Sequence, residues 1–250
     1  MGLKDLFSSE GRATRARTKN SAIVRDKHAQ SLDRQSALEA LEADGHPDAI
    51  LGLLGRFSMR YDKSIEDEQE KNWVYDRLKA RGEAIIPPLR KYLLSSDTLS
   101  FGLRLLSEML DHDKVWPVLE ELCARHDNTY TRDPEPKAQL VHFLGEFADE
   151  RATKALLPYL DDVDENVRFN AVEALFAHGK QELAFQPLID HVQKPTEESR
   201  RIKRRILEGF AEQGWELGKD RVVEFQKLAD DLYGGARLDN HGRIKKPSSK

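Results

Sequence analysis

DENVRFNAVEALFAHG, residues 164–179, opens on carboxylates, runs through an apolar stripe and stops on a glycine. Val167, Ala171, Val172 and Leu175 recur at helical spacing, so they share one face of a helix. Asp164 or Glu165 stands where a first turn favours a carboxylate, and Gly179 where helices end. The stretch ESRRIKRRILEGFAEQG, residues 198–214, repeats the beat, with Ile202, Ile206, Leu207, Phe210 and Gly214 in the matching places. One helix is written twice.

Four looser copies follow the same template. Ala37, Leu38, Leu41 and Gly45 mark one, and Val74, Tyr75, Leu78 and Gly82 another. Gly102, Leu103 and Leu106 mark a third, and Leu140, Val141 and Leu144 a fourth. After a short polar break each copy is followed by a second apolar segment, anchored on Leu53, Leu89, Val118, Leu156, Leu188 and Leu228, at intervals of 29 to 40 residues. Pro88, Pro117 and Pro187 directly precede an anchor, which predicts that each lies in a first helical turn, where a missing N–H is tolerated. The polar stretch 125–136 reads as a loop, with Asp133 and Pro134 opening the next helix. Strand signals are nearly absent.

A helix pair recurring at this period buries its apolar face only against its neighbours, which predicts an all-α, right-handed solenoid of about six pairs. Residues 33–232 form the repeat domain on this reading, with a basic, flexible arm at 1–32 and a basic disordered tail at 233–250. The segment 148–192, with D-E-R-A-x-x-A-L followed by D-D-x-D-x-x-V-R-x-x-A-x-x-A-L, resembles the HEAT-like repeat named after phycobilisome lyases. The resemblance concerns residues that pack helices together, so it speaks to fold more than to activity.

Composition narrows the classes further. Of the 250 residues 39% are hydrophobic and 34% charged, more charge than compact globules carry. No apolar run approaches the length of a membrane span, and the first twenty residues lack a secretory pattern. With a single cysteine, Cys123, this predicts a cytoplasmic protein. The net charge of −4 is uneven: residues 1–34 and 233–250 each carry +4, leaving −12 on the rest. Such a body repels phosphate.

Constellations that carry chemistry are few. Asp162, Asp164, Asn166 and Glu173 match a calcium-loop spacing, but Val167 occupies the glycine position and the stretch is already helical. Cys123 and His126 lack further metal-binding or nucleophilic companions. No phosphate-loop, dinucleotide or hydrolase-elbow motif occurs. Neither a catalytic residue, a metal nor a cofactor is therefore assigned. Ser64 with Asp67 reads as a capping box. Arg200, Arg201, Arg204 and Arg205 form a basic stripe on a first helix, a face that in HEAT proteins usually lies outside, and Glu197, Glu198 and Glu208 balance it. In the arm, Arg12, Arg15, Arg17, Lys19, Arg25 and Lys27 alternate with small residues, a composition that is disordered or weakly helical alone. Leu3, Leu6 and Phe7 before it form an apolar docking patch.

Function in a solenoid usually lies on the face made by the second helices. Three residues beyond each anchor stand Arg56, Tyr92, Glu121, Tyr159, His191 and Asp231; one residue earlier stand Gly55, Lys91, Glu120, Pro158, Asp190 and Asp230. Both columns read as lying outside the core, giving a ridge that is basic and aromatic at one end and acidic at the other. Mixed charge with tyrosine suits a protein partner better than DNA. The expected function is a non-catalytic interaction scaffold. Two alternatives stay open: a HEAT-like enzyme of the bilin-lyase or DNA-glycosylase type, and nucleic-acid or ribosome association through the basic ends. Trp73, Trp116 and Trp215, needed by a glycosylase cleft, fall in three separate repeats.

Overall fold

The computed structural model describes residues 9–60, 64–147 and 149–246. The Leu3, Leu6 and Phe7 patch and the side chain of Ser64 lie outside the described residues. The chain divides into two compact units, Met1–Arg125 and His126–Lys250. Among the described residues the first holds α1 (Ser9–Arg25), α2 (Ser31–Asp44), α3 (Pro47–Leu54), α4 (Ser64–Ala80), α5 (Ile86–Leu93), α6 (Ser100–Met109) and α7 (His112–Arg125). The second holds α8 (Glu135–Glu146), α9 (Glu150–Leu156), α10 (Glu165–His178), α11 (Gln181–Gln193), α12 (Arg200–Gln213) and α13 (Val222–Leu232). A hairpin of β1 (Arg237–Leu238) and β2 (Ile244–Lys245) follows. The fold is an all-α repeat solenoid. In the first unit α2, α4 and α6 stack as first helices while α3 packs on α5; in the second, α8, α10 and α12 stack likewise.

Local chemistry sets these helices as the sequence predicts. Asp164 Oδ1 accepts from the amides of Asn166 at 2.9 Å and Val167 at 3.1 Å, capping α10. Gly179 and Gly214 adopt φ of 62° and 66°, the left-handed stop that costs glycine nothing. Val167, Ala171, Val172 and Leu175 are all fully buried.

The six second-helix anchors fall in or beside the expected helices, but two prolines do not. Pro117 and Pro187 lie inside α7 and α11, which begin well before them. Only Pro88 lies in a first turn. An amphipathic helix with a deep apolar face absorbs one lost backbone hydrogen bond.

Between α10 and α12 an aromatic cluster forms, with Phe176, Phe210 and Trp215 edge-on or tilted to one another at centroid distances of 5.5 to 6.0 Å. Phe176 lies over Gly209, where an added Cβ would stand 2.2 Å from the ring. The glycine is there for that ring. Gly209→Ala should therefore lower stability by about 1–3 kcal/mol, read as a lower midpoint in urea denaturation, because the ring must leave its rotamer.

Ordered elements at Ser9–Arg25 and over 237–245 differ from the expectation of flexible extensions. Ser9–Arg25 is helical and seated on α2 and α3. Val24 is fully buried, and Arg17 pairs with Asp44 and Glu10 at 2.9 Å. Ser21 and Arg25 lie against Gly52 and Gly55 of the neighbouring repeat, so the two backbones approach closely. Composition alone understated this helix because small residues, not large apolar ones, make the contact. At the other end the hairpin packs on α12 and α13, with Ala236 and Ile244 buried and the Leu217 amide donating to the Gly242 carbonyl at 3.2 Å.

Candidate functional site

The ridge expected from the anchor spacing separates into two columns of different character. In the earlier column Lys91, Glu120, Pro158, Asp190 and Asp230 are exposed, whereas Gly55 is buried. Arg56, Tyr92, Tyr159 and His191 are at most 4% exposed. Their reading as surface residues is corrected. Residues three apart are neighbours on a helix face, and in a 3-10 turn they eclipse. α3 continues as a 3-10 turn over Gly55–Ser58 and α9 as another over Leu157–Asp161, which carries Arg56 and Tyr159 back over their buried anchors. Glu121, in the same column, is half-buried and pairs with Arg90, and Asp231 is exposed.

The inward column ties helix ends to loops. The Tyr92 hydroxyl donates to the Thr98 carbonyl at 3.1 Å, and that of Tyr159 to the His126 carbonyl at 2.8 Å. Arg56 Nη2 binds Asp67 at 2.6 Å, and Arg56 Nε binds Glu70 at 2.9 Å. Arg34 grips the same Glu70 with two nitrogens, at 2.7 and 2.9 Å. Lys71 completes the cluster on Asp67 at 2.6 Å. Burial pushes the Glu70 carboxyl up, yet the bonds from Arg34 and Arg56 hold it below its ordinary value. Asp67 is likewise held down by Lys71 and Arg56 against the pull of burial. Asp67 is thus a buried ion-pair partner as well as a first-turn carboxylate.

Arg34 and Lys71 belong to a series that sequence reasoning missed. When the helix copies are aligned on their apolar pairs, Arg34, Lys71, Lys137, Arg168 and Lys203 occupy one position, with Leu99 the exception. Lys137 is nearly fully buried and binds Asp162 at 2.7 Å and the Thr129 carbonyl at 2.7 Å. This takes Asp162 out of the calcium-loop pattern. Arg168 binds Glu197 at 2.8 Å, and Glu197 Oε2 lies 3.0 Å from His191 Nε2. Burial depresses the His191 imidazole below its ordinary value, and the Glu197 and Asp161 charges only partly oppose it. A cation at a fixed place beside the apolar stripe was the available signal.

Two surface depressions contain expected site residues. In the second unit a cleft of about 610 Å³ runs between the Leu157–Asp161 turn and α11. Leu157, Leu160 and Pro187 supply apolar surface, and Asp161, Asp190 and Lys194 supply charge. Lys194 binds Asp161 at 2.6 Å. The second depression, about 530 Å³, brings together Arg200, Arg201, Arg204 and Arg205 of the basic stripe. Their charge is largely spent: Arg200 pairs with Asp231, Arg204 with Glu208, and Arg205 with Glu173 and Glu212. Arg201 binds the Asn166 amide oxygen and stacks on Phe169 at 3.7 Å. Of the tryptophans, Trp215 is buried in the aromatic cluster of the second unit.

The stacked pairs, their capped first helices and the interlocking cations set the frame for comparison with known families. Residues 128–207 match the family model for HEAT repeats. That stretch is similar to HEAT repeats. The match runs from the loop before α8 into α12, so the cleft at α9 and α11 lies within it, as does Phe176 of the aromatic cluster. Comparison with curated proteins finds no match to the chain. Among the described residues no helix is long and apolar enough to cross a membrane.

Proposed function

We propose that the protein is a non-catalytic scaffold whose HEAT repeats dock a partner protein on the second-helix face. The observation that carries this is the cleft beside α11, open and apolar on one side, with Asp190 exposed at its rim, where it accepts from Gln186 at 2.6 Å and still offers its second oxygen to a basic group. HEAT repeats commonly mediate protein–protein contact, and the arrangement over 148–192 favours the phycobilisome-lyase type of repeat. A lone half-buried Cys123 supports a reducing, cytoplasmic setting.

The test is capture from native cells followed by titration of the captured protein. Asp190→Arg should weaken binding by about tenfold or more, since a like charge now faces the partner's basic group, while helicity stays unchanged. Arg204→Glu, on the balanced stripe, should alter binding less than about threefold. Equal binding by wild type and Asp190→Arg would remove the cleft from the interface.

A further inference from the structure

The two basic chain ends are not equivalent once their partners are counted. In the tail, Arg237 pairs with Asp230 at 2.6 Å and Arg243 with Glu216 at 2.6 Å. Lys245 and Lys246 pair with Asp239 and Glu212. The stripe on α12 is spent in the same way. On α1 only Arg17, the inward-facing cation, meets carboxylates. Among the described residues Arg12, Arg15, Lys19, Arg25 and Lys27 form no ion pair, and all are exposed. Arg15 Nε binds only the Gly11 carbonyl of its own helix.

Helical geometry gathers three of these cations. At 100° per residue, Arg12, Arg15 and Lys19 fall within one narrow arc, opposite the arc of Arg17, Ser21 and Val24 that seats α1 on its neighbours. The three span roughly 10 Å along the axis, a line of fixed positive charge over two turns. The helix bearing them is held by the Arg17 pairs and by Gly52 and Gly55, so the line is presented on a rigid support.

We infer that this face of α1 binds the phosphate backbone of double-stranded nucleic acid without reading its sequence. The chemistry of the face selects that occupant. Its uncharged neighbours are Ala16, Ala22 and a single half-buried Ile23, too little apolar surface to enter a lipid surface or to anchor a protein hot spot. It carries no aromatic ring on which an unpaired base would stack. What remains is regularly spaced, unneutralised positive charge, which is how proteins hold phosphates irrespective of base order. The acidic remainder of the chain confines the contact to this end.

The experiment is fluorescence anisotropy of the full chain with a short mixed-sequence duplex, repeated with a second sequence of equal length. With about three phosphates neutralised, affinity should fall roughly 40-fold between about 50 and 200 mM salt and be the same for both duplexes. The Arg12→Ala, Arg15→Ala, Lys19→Ala triple variant should lose at least about tenfold at low salt with unchanged helicity. Arg200→Ala with Arg204→Ala should leave binding within about twofold, because those charges are already neutralised. The inference is overturned by a triple variant that binds like wild type. It is also overturned if polyglutamate, or vesicles rich in phosphatidylserine, displace the duplex at equal charge concentration.

Discussion

Replacing Arg56 by alanine should destabilise the first unit by about 3–5 kcal/mol, seen as an early transition in urea denaturation that the wild type lacks. Arg56 is wholly buried and answers both Asp67 and Glu70. Removing it leaves two carboxylates sharing Arg34 and Lys71 in a site that water barely reaches. Arg56→Lys keeps the charge but loses the planar fork that spans both acids, so it should fall between alanine and wild type. An Arg56→Ala protein as stable as wild type but defective in partner capture would restore Arg56 to the surface.

Lys137→Ala should cost the second unit a similar amount, about 3–5 kcal/mol, for the same reason. Its ammonium is the cation bound to Asp162, whose side chain is 1% exposed, and it also donates to the Thr129 carbonyl. The variant should open the loop before α8 first, giving faster amide exchange over residues 127–134 before the helices yield. Lys137→Ala with Asp162→Asn should recover part of the loss, because a neutral amide tolerates burial better than an orphaned carboxylate. Uniform exchange across α8 to α11, with no head start in the loop, would show that Lys137 does not hold the loop.

These two side chains mark how far the sequence could be read. The stripes of Val167, Ala171, Val172 and Leu175 and their counterparts were legible because burial writes itself as period. Asp164 and Gly179 were legible because a helix end needs a particular atom or a particular φ. Arg56 and His191 were not, since a charged residue three places after an anchor reads as surface. Only the turn at Gly55–Ser58 and the carboxylates of a later segment make burial affordable for Arg56, and neither is local in sequence. Lys137 lay beside the pattern but was passed over because lysine is assigned to solvent by habit of composition. The packing of α1 was hidden for the opposite reason. It rests on glycines facing Ser21 and Arg25, a contact made by what those residues lack.

The seating of α1 on α2 and α3, and of the β1–β2 hairpin on α12 and α13, bears on how copies of the chain meet. Stacked repeats carry at each terminus a face shaped to receive one more repeat, and identical chains offer the matching face. Head-to-tail addition of that kind does not close and grows into fibres. Here the first such face is occupied by a helix fixed through Arg17 and Val24, and the last by a hairpin fixed through Ala236 and Ile244. On either face, addition of a repeat from another copy would first require that helix or that hairpin to peel away.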